Sequence, residues 1–264
     1  MSYKDIATIK VTLKNEFVYR INAVIKICYS FIPLICTLFL WKFIFSSNSF
    51  IGGYNKEQMY EYYIISFLII NTLDVGINEF AYANEIKNGG IGKYIVRPYK
   101  VNRYIFFSSF KSLFLFWGVG IIPVILWCVM HVVNFNIDLR VFLILCISMI
   151  GAYIINFNLK MIVIALAFYM NSISCLPKAF NTIKQLVGGG IIPIDLFPPT
   201  LFNILSFTPF KYLGYFQTTL ILNKLDAKSI IIGLSIEVIW VILLECCKKV
   251  VWNKGIKRIV SFGG

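Results

Sequence analysis

Residues Asn88 to Lys100 read NGGIGKYIVRPYK, three glycines beside a lysine with a basic, aromatic tail. That composition is the one in which backbone amides and an ammonium group cradle phosphates. A P-loop, however, needs G-x-x-x-x-G-K followed by Ser or Thr, whose hydroxyl ligates magnesium. Here Tyr94 follows Gly92-Lys93, and Lys87 stands five positions before Gly92. The dinucleotide pattern G-x-G-x-x-G fails at the same place, because Tyr94 and Ile95 follow Gly90-Ile91-Gly92. This stretch is not a nucleotide site.

Other reactive side chains are dispersed. The single histidine, His131, has no Cys, Asp or Glu cluster beside it. Cys28, Cys36, Cys128, Cys146, Cys175, Cys246 and Cys247 form no C-x-x-C pair and lie in or beside apolar blocks, so they are expected to be small core residues rather than zinc or disulfide partners. Neither a Ser/His/Asp set nor H-E-x-x-H occurs. The sequence therefore reads as no enzyme. What remains are ionisable and amide groups inside apolar blocks: Asp74, Asn156, Asn158, Lys160, Lys178, Lys184 and Glu237.

Those blocks define the elements. The chain has 264 residues, 59% hydrophobic and 14% charged, with a mean hydropathy of +0.78. A soluble domain carries about a quarter charged residues; this chain cannot cover a globular surface. Apolar runs of about 20 residues cross a bilayer. The expected fold is all-α and integral to the membrane, a single transmembrane domain over 1–264 with spans at 21–45, 62–82, 104–130, 139–168, 173–192 and 229–247. The turn between the fourth and fifth spans falls near Tyr169 to Cys175 or, alternatively, near Asn156 to Lys160. No cleavable signal peptide is expected. In residues 1–20, Ile6, Ile9, Leu13 and Phe17 recur at helical spacing with Lys10 and Lys14 between them, which predicts an amphipathic helix on the membrane surface. The alternative is an ordinary first turn leading into the span.

Net charge is +13, but its distribution excludes a nucleic-acid reading. The N-terminal segment, residues 83–103 and the C-terminal tail hold 14 of the 25 basic residues, whereas SSNSFIGGYNKEQMYE and HVVNFNID hold only Lys56. Positive residues concentrate in cytoplasmic loops, so both termini and the loop 83–103 are expected inside a cell membrane. In that loop glycines break the helix and Pro98 fixes a new start. Tyr94 and Ile95 between Lys93 and Arg97 suit either a docking knob for a cytosolic partner or a plain solvated loop. Residues 188–225 hold GGGIIPIDLFPP and TPF, too many breakers for one straight span.

A lone charge at mid-bilayer costs about 2.5–3.5 kcal/mol on insertion scales. Lys184 and Glu237 are therefore expected to pair across spans five and six or to face a polar cavity. Asp74, Asn156, Asn158, Lys160 and Lys178 are further candidates for lining a route; the alternative for Lys160 and Lys178, and the favoured one, is that they snorkel to the cytoplasmic interface. Lysine exceeds acid inside the blocks, which favours an anionic or amphipathic cargo. The Ile, Lys and Asn content suits an AT-rich bacterial genome.

Three segments carry a family resemblance. Ile86-Lys87-Asn88-Gly89 followed by Tyr94-Ile95-Val96-Arg97-Pro98 resembles the "I-basic-x-G … L-x-R-P" signature of ABC-2 type permeases, the membrane subunits of ABC transporters. GGGIIPIDLFPPTLFNILSFTPFKYLGYF is similar to that family's "G-G-x-I-P-x-x-x-F-P … P-F" segment, and Trp252 with Gly255-Ile256-Lys257-Arg258 before Gly263 to its C-terminal "W-x-x-G-L-K … G". Gly90 and Gly92 stand where the family often carries acidic residues. The resemblance implies six spans, an exporter, and a second permease protomer (a homodimer or a similar paralogue) with the route between them. ATP and magnesium would be held by a separate cytosolic ABC ATPase, with no cofactor bound by this chain. It further implies that Ile86, Lys87, Gly89, Tyr94, Ile95, Arg97 and Pro98 couple to that ATPase. Gly188, Gly189, Gly190, Pro193, Phe197, Pro198, Pro209 and Phe210 would form an outward re-entrant gate. The competing reading is an ion-coupled secondary transporter using Asp74 and Glu237 within broken helices; such folds show internal repeats, and this sequence does not.

Overall fold

A computed structural model describes residues 3–18, 20–47, 49–88, 101–117, 138–170 and 175–262, and within these it is helical. The helices are α1 (Tyr3–Val18), α2 (Arg20–Ser47), α3 (Lys56–Thr72), α4 (Glu79–Lys87), α5 (Val101–Leu115) and α6 (Leu139–Ala165). After them come α7 (Leu176–Val187), α8 (Pro199–Ser206), α9 (Tyr215–Ile221) and α10 (Ala227–Phe262). Among the described residues, three stretches are long and apolar enough to cross a membrane: Cys28–Ser47, Leu139–Phe168 and Ala227–Arg258. Their large apolar side chains face outward, among them Phe39, Phe43, Ile147, Ile150, Ile231 and Ile242. Apolar surface that continuous is solvated by lipid rather than water.

Helix α3 begins before the expected start of the second span, because Asn55 and Gln58 close a capping box: Gln58 N–H donates to Asn55 Oδ1 at 2.8 Å and Asn55 N–H to Gln58 Oε1 at 3.1 Å. The span expected over 62–82 is not one helix. It ends at Thr72 and resumes at Glu79, where Asn78 caps α4 by accepting from Ala81 N–H at 3.0 Å. Gly76 in the interval takes φ +58°, a left-handed conformation that favours glycine. By contrast, α6 runs unbroken through Asn156 and Lys160 into a single 3₁₀ turn, Leu166–Phe168, so no turn falls at 156–160. The helix in the expected fifth span, α7, has only 12 residues and stops at Gly188. The third span is described to residue 117; its remainder and the loop after it lie outside the described residues.

Helix α1 forms as expected, and it lies along α5 in the same direction. Asp5, fully buried, accepts from Arg103 Nε at 2.9 Å and Nη2 at 2.7 Å, and Lys111 pairs with Glu16 at 2.6 Å. Ile6 is exposed, so the covered face is not the simple apolar stripe the spacing predicted. The most extensive seam joins α6 to α10. One buried cluster gathers the end of α3, α4, α5, α6 and Trp252 of α10; a second gathers Trp41, Tyr54, Tyr62, Tyr63, Ile194 and Tyr215.

Candidate functional site

The break between α3 and α4 is the polar centre of the molecule. Unwinding a helix inside apolar surroundings strands backbone carbonyls, and each needs a donor. Asn156 Nδ2 donates to Leu73 O at 2.6 Å, and Ser112 Oγ to Asp74 O at 2.5 Å. Gly76 N–H turns back to Asp74 Oδ1 at 3.3 Å. Four residues beyond Asn156, on the same face of α6, Lys160 reaches Asp74 Oδ1 at 3.1 Å and Glu79 Oε1 at 3.2 Å. Lys160 is 4% exposed. One ammonium thus bridges a carboxylate inside the break and the first residue of α4.

This placement corrects the expectation for Lys160, which does not snorkel. A buried cation with one buried and one half-buried acid at hand is held by them, whereas a solitary one reaches for water. Lys178 is exposed at the start of α7. Asn158 points away from the break, toward α10, where Lys248 Nζ donates to its Oδ1 at 2.8 Å and to Glu245 Oε2 at 2.5 Å. Asp74 and Asn156 are therefore brought together, and Asn158 is not with them.

The pair expected between Lys184 and Glu237 does not form. Glu237, 3% exposed, accepts from Ser148 Oγ at 2.8 Å, and that hydroxyl accepts from Gln217 Nε2 at 3.0 Å. Its carboxyl lies in a notch at Gly151, where a Cβ would stand 2.7 Å from Oε1. The Ser148 hydroxyl on α6, itself held by Gln217 on α9, thus donates to one carboxyl oxygen where a lysine was expected, and the buried Oε1 has no hydrogen-bond partner among the described residues. Lys184, half-buried on α7, is instead in electrostatic reach of Lys160, Asp74 and Glu79.

The segment expected to be re-entrant is a chain of short turns. Gly188 ends α7 and Gly189 has φ +80° with the Tyr62 hydroxyl against it. Pro193 precedes a 3₁₀ turn at Ile194–Leu196, Phe197 and Pro198 lead into α8, and Pro209 opens a second 3₁₀ turn, Pro209–Leu213. Phe210 stacks obliquely on Phe180, with centroids 6.3 Å apart. Three tyrosines that sequence reasoning missed hold this segment: Tyr62 donates to Gly189 O at 2.8 Å, Tyr63 to Ile191 O at 2.7 Å and Tyr54 to Asp195 Oδ2 at 2.7 Å. For Tyr62 and Tyr63 the signal was the run YEYY, which offers phenols on more than one helix face; Tyr54, in the turn GGYN, gave none. Lys224 Nζ lies 3.0 Å from the centroid of the Tyr54 ring. Burial pushes the Asp195 carboxyl above its ordinary value; the Tyr54 hydrogen bond and the Lys224 charge oppose that push without cancelling it.

Of the coupling residues, Gly89, Tyr94, Ile95, Arg97 and Pro98 lie outside the described residues. Lys87 is exposed, but Ile86 is 4% exposed and belongs to the core, so it anchors the segment and cannot itself touch a partner.

No curated protein matches the chain. A family model described as ABC-2 family transporter protein matches residues 31–263, from within α2 to beyond the end of α10. The break, the turn-rich segment and the Trp252 helix all fall inside that match, and the chain belongs to the ABC-2 family, the membrane permease components of ABC transporters.

Proposed function

We propose that this permease is the route-forming half of an ATP-driven exporter, acting as a pair of protomers in the plasma membrane of a bacterium, with six spans and both termini in the cytoplasm. A separate cytosolic ATPase grips residues 87–98 and supplies ATP and magnesium. Closure of the ATPases pushes those residues; α4 carries the displacement to the break at 73–78, and the route changes from inward to outward access. Residues 188–225 cap the outer end.

The observation that carries this reading is the break itself. Helix α4 leads directly into the proposed docking segment, and its first residue is tied by Lys160 to α6. A push on the loop therefore reaches the centre of the bundle through nine residues of helix.

Deletion of Gly89 to Pro98 tests the docking role. The full-length chain is expected to co-purify with an ATP-hydrolysing subunit and the deleted chain to lose it; equal recovery of that subunit with both would overturn the proposal.

A further inference from the structure

Trp252 and Gly255 lie far along the sequence from the docking segment, on the part of α10 that outlasts a bilayer. Thirty-six residues make about 54 Å of helix against about 30 Å of hydrocarbon. The extension is not free. Trp252 is 4% exposed, and its ring meets Phe168 edge-on with centroids 5.5 Å apart. Gly255 lets the two helices close: a Cβ there would stand 2.3 Å from Phe168 Cδ2 and 2.9 Å from Phe168 Cβ. One turn earlier, Val251 O accepts from the Tyr169 hydroxyl at 3.1 Å. The end of α10 is thus pinned to the end of α6.

Trp252 also borders a small cavity that Tyr82, Ile86, Val101, Ile105 and Ile164 line with it. Ile86 is the last buried residue before residues 89–100 and Val101 the first described residue after them. Both feet of that segment therefore line one small cavity with the indole.

We infer that Trp252 and Gly255 are positioning residues: the indole is a brace that sets the spacing and tilt of the two feet of segment 89–100, and hence whether ATP hydrolysis is transmitted. This rests on the docking role proposed above. The indole is large, flat and packed edge-on against Phe168, and a smaller side chain would enlarge the cavity it shares with Ile86 and Val101 into a void they can shift into. The brace does not touch the ATPase, so its loss is expected to spare binding and to impair transmission.

The test uses the full-length chain in lipid nanodiscs, with the ATP-hydrolysing subunit that co-purifies with it. In Trp252→Ala, amide exchange in peptides covering 82–88 and 101–105 is expected to rise at least tenfold, while peptides covering 56–72 keep their protection. The co-purified subunit is retained, and stimulation of its ATP hydrolysis by the permease falls at least fivefold. Trp252→Phe restores most of both signals. Gly255→Ala, which adds a wedge rather than a void, changes exchange at the same two sites. Unchanged exchange at the feet, or unchanged stimulation in Trp252→Ala, overturns the brace. Exchange that rises equally throughout, with no rescue by Trp252→Phe, overturns it too. A chain lacking Gly89 to Pro98 that still binds the subunit defeats the docking role instead, so the two failures are distinct.

Discussion

Lys160 illustrates how one side chain settles an otherwise costly arrangement. Two acids in and beside an unwound stretch are unfavourable in low dielectric unless a cation is shared between them. Lys160→Met removes that cation and leaves Asp74 and Glu79 to each other. We expect a loss of about 3–5 kcal/mol, the usual result of stranding buried charge, read as a lower unfolding midpoint in detergent. Combining Lys160→Met with Asp74→Asn and Glu79→Gln is expected to recover most of it, since amides can remain where carboxylates cannot. These ionisable residues were visible in the sequence as anomalies within apolar blocks. Their partners were not. Lys160 lies 86 positions from Asp74, and Lys184, equally plausible by hydropathy, feels the same two acids at longer range while Lys160 holds them. Among the described residues, Glu237 takes its one side-chain hydrogen bond from Ser148, a residue that attracts no notice in a sequence.

Among the elements, the turn-rich segment between α7 and α10 is the clearest case of propensity and tertiary structure agreeing. Glycines and prolines forbade a straight helix, and the chain makes 3₁₀ turns and helices of eight and seven residues there. What fastens it is phenolic. Asp195, within that segment, has its carboxyl raised by burial. A raised folded-state value means that the folded chain binds the proton more readily than the unfolded one. Its carboxyl therefore favours folding less as pH climbs from the ordinary carboxylate value of about 4 through the folded value. Replacing Asp195 with Asn keeps an acceptor for Tyr54 and removes the titration. The midpoint of unfolding for wild type relative to Asp195→Asn is expected to fall as pH is raised from 3.5 to 7, and a flat difference would show that the group is not desolvated. The second span shows the opposite lesson. Its hydropathy read as one helix, and only the donors on α5 and α6 made the interruption at 73–78 tolerable.

For the whole molecule, the charge distribution makes a single testable demand. With Lys93→Cys or Arg97→Cys in a background freed of the seven native cysteines, an impermeant maleimide should label the loop only after the cell is opened. Labelling of intact cells would reverse the topology and remove the ATPase from its proposed contact. The same sign bias gathers Lys248, Lys249, Lys254, Lys257 and Arg258 on the end of α10. There Arg258 lies 5.7 Å from the Tyr169 ring, and Trp252 enters the core. The C-terminal motif noticed for its family likeness thus has a packing reason that a sequence does not disclose.

Hydropathy and helical periodicity are local properties, and from them the sequence by itself determined the membrane class, the helix at Tyr3–Val18 and the impossibility of a straight span after Gly188, whereas the continuity of α6 through Asn156 and Lys160 was decided by the structure. Pairing is not local. Only the tertiary structure decided that Lys160 bridges Asp74 and Glu79, that Glu237 turns to Ser148, that Asp5 receives Arg103, and that Ile86 and Val101 share Trp252. Each of those contacts depends on the distance and rotation between helices, which side-chain volume and glycine notches set once the helices meet.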